Sequence, residues 1–453
     1  MLELNINEIV KITKGKLYGN ANINSFNSVV TDTRKVSSGD VFLAFKGEYF
    51  NANKHIQDAF LKDASLCIVD ELHYDVDNLP YNKSIIVVDN VERALGELAQ
   101  YYIKKVNVKV IGVTGSCGKT STKDMIAAAL SVKYKVLKTI GNFNNHIGLP
   151  LTILGLDSSF DIAVLEMGMS NAKEIEYLTK IAKPDISVIT NIGFSHIENL
   201  GTQENILNAK MECTTYFNKD SVLIVNGDDK MLRPISSEDY SVVKVGTCDS
   251  FNFCARNIEL NSLTSSFDVI HNNINQSCKI NMPGHHNVIN FLLSVAVASE
   301  FGISISEAEE GLKNIEKTSM RLELKEVRDY LLINDCYNAS PDSMKSALDV
   351  QVNLGEKRNI AVLGPMFELG DLANKCHYEL GKYILTKNID MVFTTGEFTS
   401  EYKRALGDKC IYFDTKEDLI KHLKKYIQAG DSILIKASRG AHFEEIFNSL
   451  TDV

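Results

Sequence analysis

Apolar residues fall along the chain in two kinds of run. Short, nearly unbroken apolar stretches at VKVIGV (108–113), DIAVLEMG (161–168), DISVITNIG (185–193) and SVLIVNGDD (221–229) end in glycine or polar residues, as buried parallel strands do. Between them lie segments with helical spacing, among them TSTKDMIAAALSVKYK after the first strand and Asn171 to Ala182. Strand and helix in alternation predict a doubly wound α/β unit. The pattern restarts near Met320 with YLLINDCYNASPDSMKSALDV, RNIAVLGPMFELG, DMVFTTGEF and DSILIKASRG, which predict a second, Rossmann-like α/β unit. Ahead of Val108, the short strands SVVTDTR, DVFLAFKG, LCIVDE and SIIVVD alternate with helices such as VERALGELAQYYIKK. The expected architecture is therefore α/β with three domains, at residues 1–106, 107–316 and 317–453.

Length agrees with this division, since 453 residues amount to about three domains of ordinary size. Hydrophobic residues at 44% and charged residues at 23% are those of a folded globular chain. Forty-eight Lys and Arg against 58 Asp and Glu leave a net charge of -10, which repels phosphate backbones and anionic lipid. Neither nucleic acid nor a membrane is an expected partner. A site for a polyanionic small ligand must then be built locally, from backbone N–H groups, a few cations and a divalent metal. The opening MLELNINEIVKITKGKLYGN has no apolar core behind a basic leader, and no stretch approaches the ~20 apolar residues of a membrane span, so a cytoplasmic protein is expected. The nine cysteines are odd in number and contain no C-x-x-C pair, which indicates neither a disulfide framework nor a zinc ribbon.

The strongest local signal follows the strand at 108–113. In Gly112-Val113-Thr114-Gly115-Ser116-Cys117-Gly118-Lys119-Thr120, glycines let backbone N–H groups converge on a phosphate, and the next helix adds its dipole. Lys119 supplies a point charge, and Thr120 is placed to give a hydroxyl to Mg²⁺. The pattern G-x-x-x-x-G-K-[ST] is not met to the letter, because position 113 is Val and the glycines fall at 112 and 115. Glu166 and His196 stand at or just past the ends of neighbouring strands, the edge where parallel sheets hold ligands, and are candidate metal ligands with Thr120. Asn142, Asn144 and Asn145 crowd three amides into one loop, where they serve either substrate or loop capping. Lys436-Ala437-Ser438-Arg439-Gly440 follows the DSILI strand, so Lys436, Ser438 and Arg439 are candidates for a substrate carboxylate, with a solvated turn as the alternative. Cys117, beside Lys119 at a helix N-terminus, is expected to be open to alkylation or oxidation.

GVTGSCGKT, TIGNFNNHIGLPLTIL, LEMGM and TNIGFSHIENLGTQENILNAK, in that order, resemble the central domain of the Mur ligases. GHHNVIN (284–290) is similar to the family's G-x-H-N-x-x-N, and Arg321 and Asp335 stand where the family has an Arg and an Asp. The resemblance implies an ATP-dependent amide-bond ligase that phosphorylates a substrate carboxylate and lets an amine attack the acyl phosphate, with ATP and Mg²⁺ as cofactors. It assigns Gly115, Ser116, Cys117, Gly118, Lys119, Thr120, Ser121, Asn287, Asn290, Arg321 and Asp335 to the nucleotide. Lys119, Glu166, His196, Lys210 and Arg321 become the catalytic set, and Thr120, Glu166, His196 and Lys210, the last as a carbamate, the metal set.

Within the family, Asp32-Thr33-Arg34 with GDVFLAFKG resembles the uridine-diphosphate-binding domain, which implies Thr33, Arg34 and Lys46 as substrate contacts. Tyr337-Asn338-Ala339-Ser340-Pro341-Asp342-Ser343-Met344 and GPMFELG look like the runs of the branch that adds D-alanyl-D-alanine, with Asn338 as a substrate contact. The implied reaction joins D-alanyl-D-alanine to UDP-N-acetylmuramoyl-tripeptide in peptidoglycan precursor synthesis, by a monomer. The alternative is the branch that adds a diamino acid to UDP-N-acetylmuramoyl-dipeptide. Three positions depart from the family: Ser340 stands in place of Asn, Pro365 in place of the acid of G-D-M, and NANKHI in place of D-G-H-x-F.

Overall fold

The computed structural model describes residues 2–315, 320–354 and 357–451, so the expected boundary between 316 and 317 lies outside the described residues. Its strands form three sheets. The first has the order Lys16–Gly19, Ser84–Val87, Leu66–Val69, Val41–Leu43, Val29–Val30, with only the Lys16–Gly19 edge antiparallel. Helix Val91–Val106 follows, started by Asn90, whose side chain accepts from Arg93 N–H at 2.7 Å, and ended by left-handed Asn107. Its apolar face carries Leu95, Leu98 and Tyr102 onto helices Gly148–Ile153 and Glu174–Ala182, so one core joins the first sheet to the second.

The second sheet has nine strands, ordered Val136–Lys138, Ile162–Glu166, Lys109–Thr114, Ile186–Ile189, Val222–Asn226, Ser241–Gly246, Phe253–Leu260, Ser265–His271, Ile274–Ile280. Seven are parallel, and the last two return as antiparallel hairpins. The four strands of 241–280 extend the sheet beyond what the apolar runs predict. They alternate inward and outward side chains instead of running apolar throughout, as in Ser265–His271, where Phe267 and Val269 point inward. Helix His285–Glu300 is apolar on nearly every side because it is enclosed, packing on helix Lys119–Leu130 and on the sheet.

The third sheet, ordered Glu323–Val327, Tyr330–Asn334, Asp431–Lys436, Arg358–Leu363, Met391–Thr395, Cys410–Phe413, is parallel apart from its first pair. The C-terminal ends of its three central strands lead into residues 335–344, 364–370 and 437–440. These loops meet the phosphate-loop edge of the second sheet, and one apolar cluster includes Ile189 and Leu223 together with Ile333 and Leu434. Among the described residues, no helix is long and apolar enough to cross a membrane.

Candidate active site

Strand Lys109–Thr114 delivers the loop, and two glycines shape it. Gly115 has φ 147°, and a Cβ there would collide with Thr190 Oγ1; Gly118, at φ 79°, opens helix Lys119–Leu130. Residues 190–193, past the end of the neighbouring strand, hold the loop in place. Ser116 N–H donates to Asn191 O at 3.0 Å, Cys117 N–H to Asn191 Oδ1 at 2.9 Å, and Gly193 N–H to Ser116 Oγ at 2.9 Å. The first-turn N–H groups of Lys119, Thr120 and Ser121 have no carbonyl one turn behind them, which leaves donors and a positive dipole end for phosphate. Lys119 Nζ folds back onto Gly115 O at 2.7 Å, and burial lowers its pKa while the nearby Glu166 charge opposes the shift.

Glu166 ends strand Ile162–Glu166 and is buried. Thr120 Oγ1 donates to its Oε2 at 2.9 Å, and Asn144 Nδ2 donates to its Oε1 at 2.8 Å. Both partners are neutral. A buried carboxylate held by a hydroxyl and an amide, with an unsaturated hard-oxygen donor set, suits a divalent cation. From the third sheet's side, Arg321 NH2 donates to Thr120 Oγ1 at 2.9 Å, so Thr120 joins two distant parts of the chain.

His196 sits left-handed at φ 63° at the start of a short helix, and its Nδ1 lies 2.7 Å from Glu368 Oε2. The ring nitrogen and the carboxylate oxygen are in contact without an aligned hydrogen bond. The neighbouring imidazole pulls the Glu368 carboxyl below its usual range. Lys210, on helix Gln203–Met211, is buried with no side-chain hydrogen bond or ion pair among the described residues. Burial, and secondarily the Lys119 charge, push its ammonium well below the usual lysine range.

Asn290 Oδ1 accepts from Thr122 Oγ1 at 3.1 Å and closes under Gly118; Asn287 donates to Pro283 O at 2.8 Å. Both lie one turn apart on helix His285–Glu300. Asn290 borders a cavity of about 560 Å³, lined also by Asn191, Asn226, Asp228, His286 and Asp349. Asp335 is held by Lys436, whose Nζ donates to its Oδ2 at 2.5 Å and to Asn338 O at 2.9 Å. Nothing in the local sequence marks Lys436 or Glu368 as partners of these residues, because each faces its partner across a separation that no local period encodes.

Other candidates make local contacts. Asn145 Oδ1 accepts from Gly148 N–H at 2.8 Å, which is loop capping; Asn142 is exposed, and of the three amides Asn144 alone reaches Glu166. Arg34 grips Asp32 through both Nε and NH2, Thr33 lies between them, and Lys46 donates to Glu71 at 2.6 Å. All three sit on the first sheet's side of the molecule. Asn338 Oδ1 accepts from Ala339 N–H at 2.8 Å. Ser438 Oγ accepts from Phe367 N–H at 2.9 Å and so fastens the 364–370 loop, and Arg439 lies over Met320 and Glu444.

Comparisons with known proteins agree along the length of the chain. The model of the Mur ligase middle domain matches residues 113–298, and that of the Mur ligase glutamate ligase domain matches 320–439. A UDP-N-acetylmuramoyl-tripeptide–D-alanyl-D-alanine ligase of Bacillus subtilis (strain 168) is 40% identical, over 100% of this chain and 99% of its own. Among solved structures, MurF from Acinetobacter baumannii superposes with a TM-score of 0.89 at 28% identity, covering 99% of each chain. MurF from Thermotoga maritima in complex with ADP gives 0.83 at 27% identity, covering 94% of this chain and 97% of its own. With its phosphate loop set between Thr190, Glu166 and Arg321 and relatives that match from end to end, this chain belongs to the Mur ligase family.

Proposed function

We propose that this chain joins D-alanyl-D-alanine to UDP-N-acetylmuramoyl-tripeptide at the expense of ATP, through an acyl phosphate, in the cytoplasmic synthesis of peptidoglycan precursor. The observation that carries the reading is Thr120, which holds buried Glu166 on one side and Arg321, just ahead of the third sheet's first strand, on the other, at the mouth of the phosphate loop. The full-length likeness to the Bacillus subtilis ligase supports the substrate pair, and the YNASPDSM run favours it over a single diamino acid.

A carboxylate is a poor acyl donor until one oxygen becomes a phosphate leaving group, and the anionic groups meeting there need fixed positive charge. The donors of residues 115–121 bind the nucleotide phosphates, with Lys119 leaving Gly115 O to reach them. Arg321 adds a planar fork of donors, and Asn287, Asn290 and Asp335 border the rest of the nucleotide. Thr120 and Glu166 offer the oxygen donors that suit Mg²⁺, His196 would add a ring nitrogen from the neighbouring strand end, and the ion would supply charge neutralisation. Lys210, buried and disposed to be neutral, is the form of lysine that captures CO₂ as a carbamate, and would add a further oxygen ligand. Thr33, Arg34 and Lys46 would take the uridine diphosphate. Asn142, Asn144, Asn145, Asn338, Ser438 and Arg439 would line the path of the peptide ends. Residues 1–106, 107–316 and 317–453 then serve as UDP-sugar, ATP and dipeptide domains of a monomer with no nucleic-acid or membrane partner.

Phosphate release from Mg-ATP with UDP-N-acetylmuramoyl-tripeptide, with and without D-alanyl-D-alanine, tests the proposal alongside mass spectrometry of the product. Release that needs the dipeptide, with its mass gained by the product, is the expected result. Release driven by a diamino acid on the dipeptide precursor would replace the named substrates. Lys119→Ala is expected to lower the rate by about 10²-fold or more.

A further inference from the structure

Arg321 is held in a way that its own sequence neighbourhood does not explain. The two residues flanking it, Met320 at φ 60° and Leu322 at φ 47°, are both left-handed, a region that neither a long nor a branched side chain adopts without cost. Both sides are fastened by the segment after strand Tyr330–Asn334. Tyr337 N–H donates to Met320 O at 3.2 Å, and Leu322 N–H donates to Asp335 Oδ1 at 3.1 Å. Between these two ties, the Arg321 guanidinium lies over the Tyr337 ring, with Cζ 4.1 Å from the ring centroid. Arg321 NH2 reaches Thr120, while Arg321 Nε is buried and has no hydrogen-bond partner among the described residues. A buried guanidinium donor without an acceptor costs free energy unless a ligand supplies one.

We infer that Tyr337 is a positioning residue: its ring face fixes the plane of the Arg321 guanidinium so that Nε and a terminal nitrogen present a two-pronged donor to the terminal phosphoryl group of the nucleotide. This rests on the reading of Arg321 as a phosphate contact. A stack at 4.1 Å removes the guanidinium's freedom to rotate about its last bonds, which leaves it to form both hydrogen bonds at once. The ring acts through its face, so the Tyr337 hydroxyl is not required.

The test is binding of ADP and of a non-hydrolysable β,γ-methylene ATP analogue, each with Mg²⁺, to the full-length protein and its variants. Tyr337→Leu is expected to weaken the analogue by about tenfold and leave ADP unchanged, with kcat falling more than the KM for ATP rises. Tyr337→Phe is expected to behave as the unsubstituted protein. Equal loss of both nucleotides, no loss of either, or damage in Tyr337→Phe equal to that in Tyr337→Leu would overturn the inference. Should Tyr337→Leu fail to fold, Tyr337→His offers a smaller ring face and must show the same selective loss in weaker form; undiminished discrimination there overturns it too. Arg321→Ala separates the two levels. If it does not discriminate the analogue from ADP, the phosphate role of Arg321 falls. If it does while Tyr337→Leu does not, only the positioning role falls.

Discussion

Cys117 Sγ, in the phosphate loop, stands 3.1 Å from Ser340 Oγ, the residue that caps helix Pro341–Asn353. Ser340 accepts from Ser343 N–H at 3.4 Å while its own N–H donates to Ser343 Oγ at 2.9 Å, so the hydroxyl caps the helix at a position where the family carries an amide. The pair touches across the line where second and third sheets meet. Whatever enlarges the Cys117 side chain must therefore disturb both the loop and the docking of that helix.

Alkylation is the direct probe. Cys117 is half-buried, most of the other cysteines are buried, and Cys248 and Cys376 are the remaining accessible ones. In a Cys248→Ser, Cys376→Ser background, iodoacetamide is expected to label Cys117 and to stop phosphate release in step with labelling. Mg-ATP should slow the labelling. Equal rates with and without nucleotide, read by mass spectrometry, would remove Cys117 from the nucleotide site.

Glu166→Gln keeps the size of the side chain and removes its charge. The hydrogen bonds from Thr120 and Asn144 lose their charged acceptor, so a divalent cation loses the one buried carboxylate that Thr120 also touches. The expected outcome is a rise of about tenfold or more in the Mg²⁺ concentration for half-maximal phosphate release, with little change in thermal midpoint. A shifted midpoint with an unchanged Mg²⁺ requirement would make Glu166 a structural partner of Thr120 alone.

How much of this was legible beforehand differs between parts of the chain. The strand, loop and helix at 109–130 were plain, because VKVIGV is a nearly unbroken apolar run and the glycines at 115 and 118 permit the positive-φ turn that leads from strand to helix. Glu166 was legible from its place at a strand end. The strands at 241–280 were not, since half of their side chains face outward and their runs read as polar. Nor was the choice of Asn144 over Asn142 and Asn145, three like residues in one loop that only the fold distinguishes. The pairings of Lys436 with Asp335 and of Glu368 with His196 lay hidden for the same reason: Lys436 meets Asp335 from a strand about a hundred residues on, and Glu368 meets His196 from a loop of another sheet.

Lys210 carries a prediction about chemistry at an amine. Burial favours the neutral amine, the form that attacks CO₂, and no carboxylate pairs with it among the described residues. Depleting CO₂ and bicarbonate is expected to lower activity reversibly, and Lys210→Ala to lower it without CO₂ dependence. Formate, standing in for the carbamate oxygens, should restore part of the Lys210→Ala rate. A wild-type rate indifferent to CO₂, with no rescue by formate, would leave Lys210 as a buried lysine and no more.

His377 ties the loop that carries Glu368 to helix Ala373–Leu385, and it makes stability depend on pH. Its ring is fully buried beside Phe398 and Tyr402; Met366 N–H donates to Nε2 at 2.9 Å, and Nδ1 lies 2.7 Å from Ala373 O. Only the neutral ring fits, because Nε2 must accept while Nδ1 donates. Burial accordingly holds its pKa at about 4, against 6.5 for an exposed ring. Since the folded pKa is the lower one, the unfolded chain takes up the proton first as pH falls. Stability from this group is complete above about pH 6.5 and is lost progressively down to about pH 4. Between pH 8 and pH 5 the loss amounts to about 2 kcal/mol. His286, also held at about 4 by burial, adds to the slope, so the decisive measurement is a difference. In urea unfolding at pH 8 and pH 5, His377→Gln, which accepts from Met366 N–H without titrating, is expected to shrink the difference between the two pH values by about 2 kcal/mol. An unchanged difference would mean that the His377 pocket admits the protonated ring, and that the Met366 hydrogen bond does not hold the 364–370 loop in place.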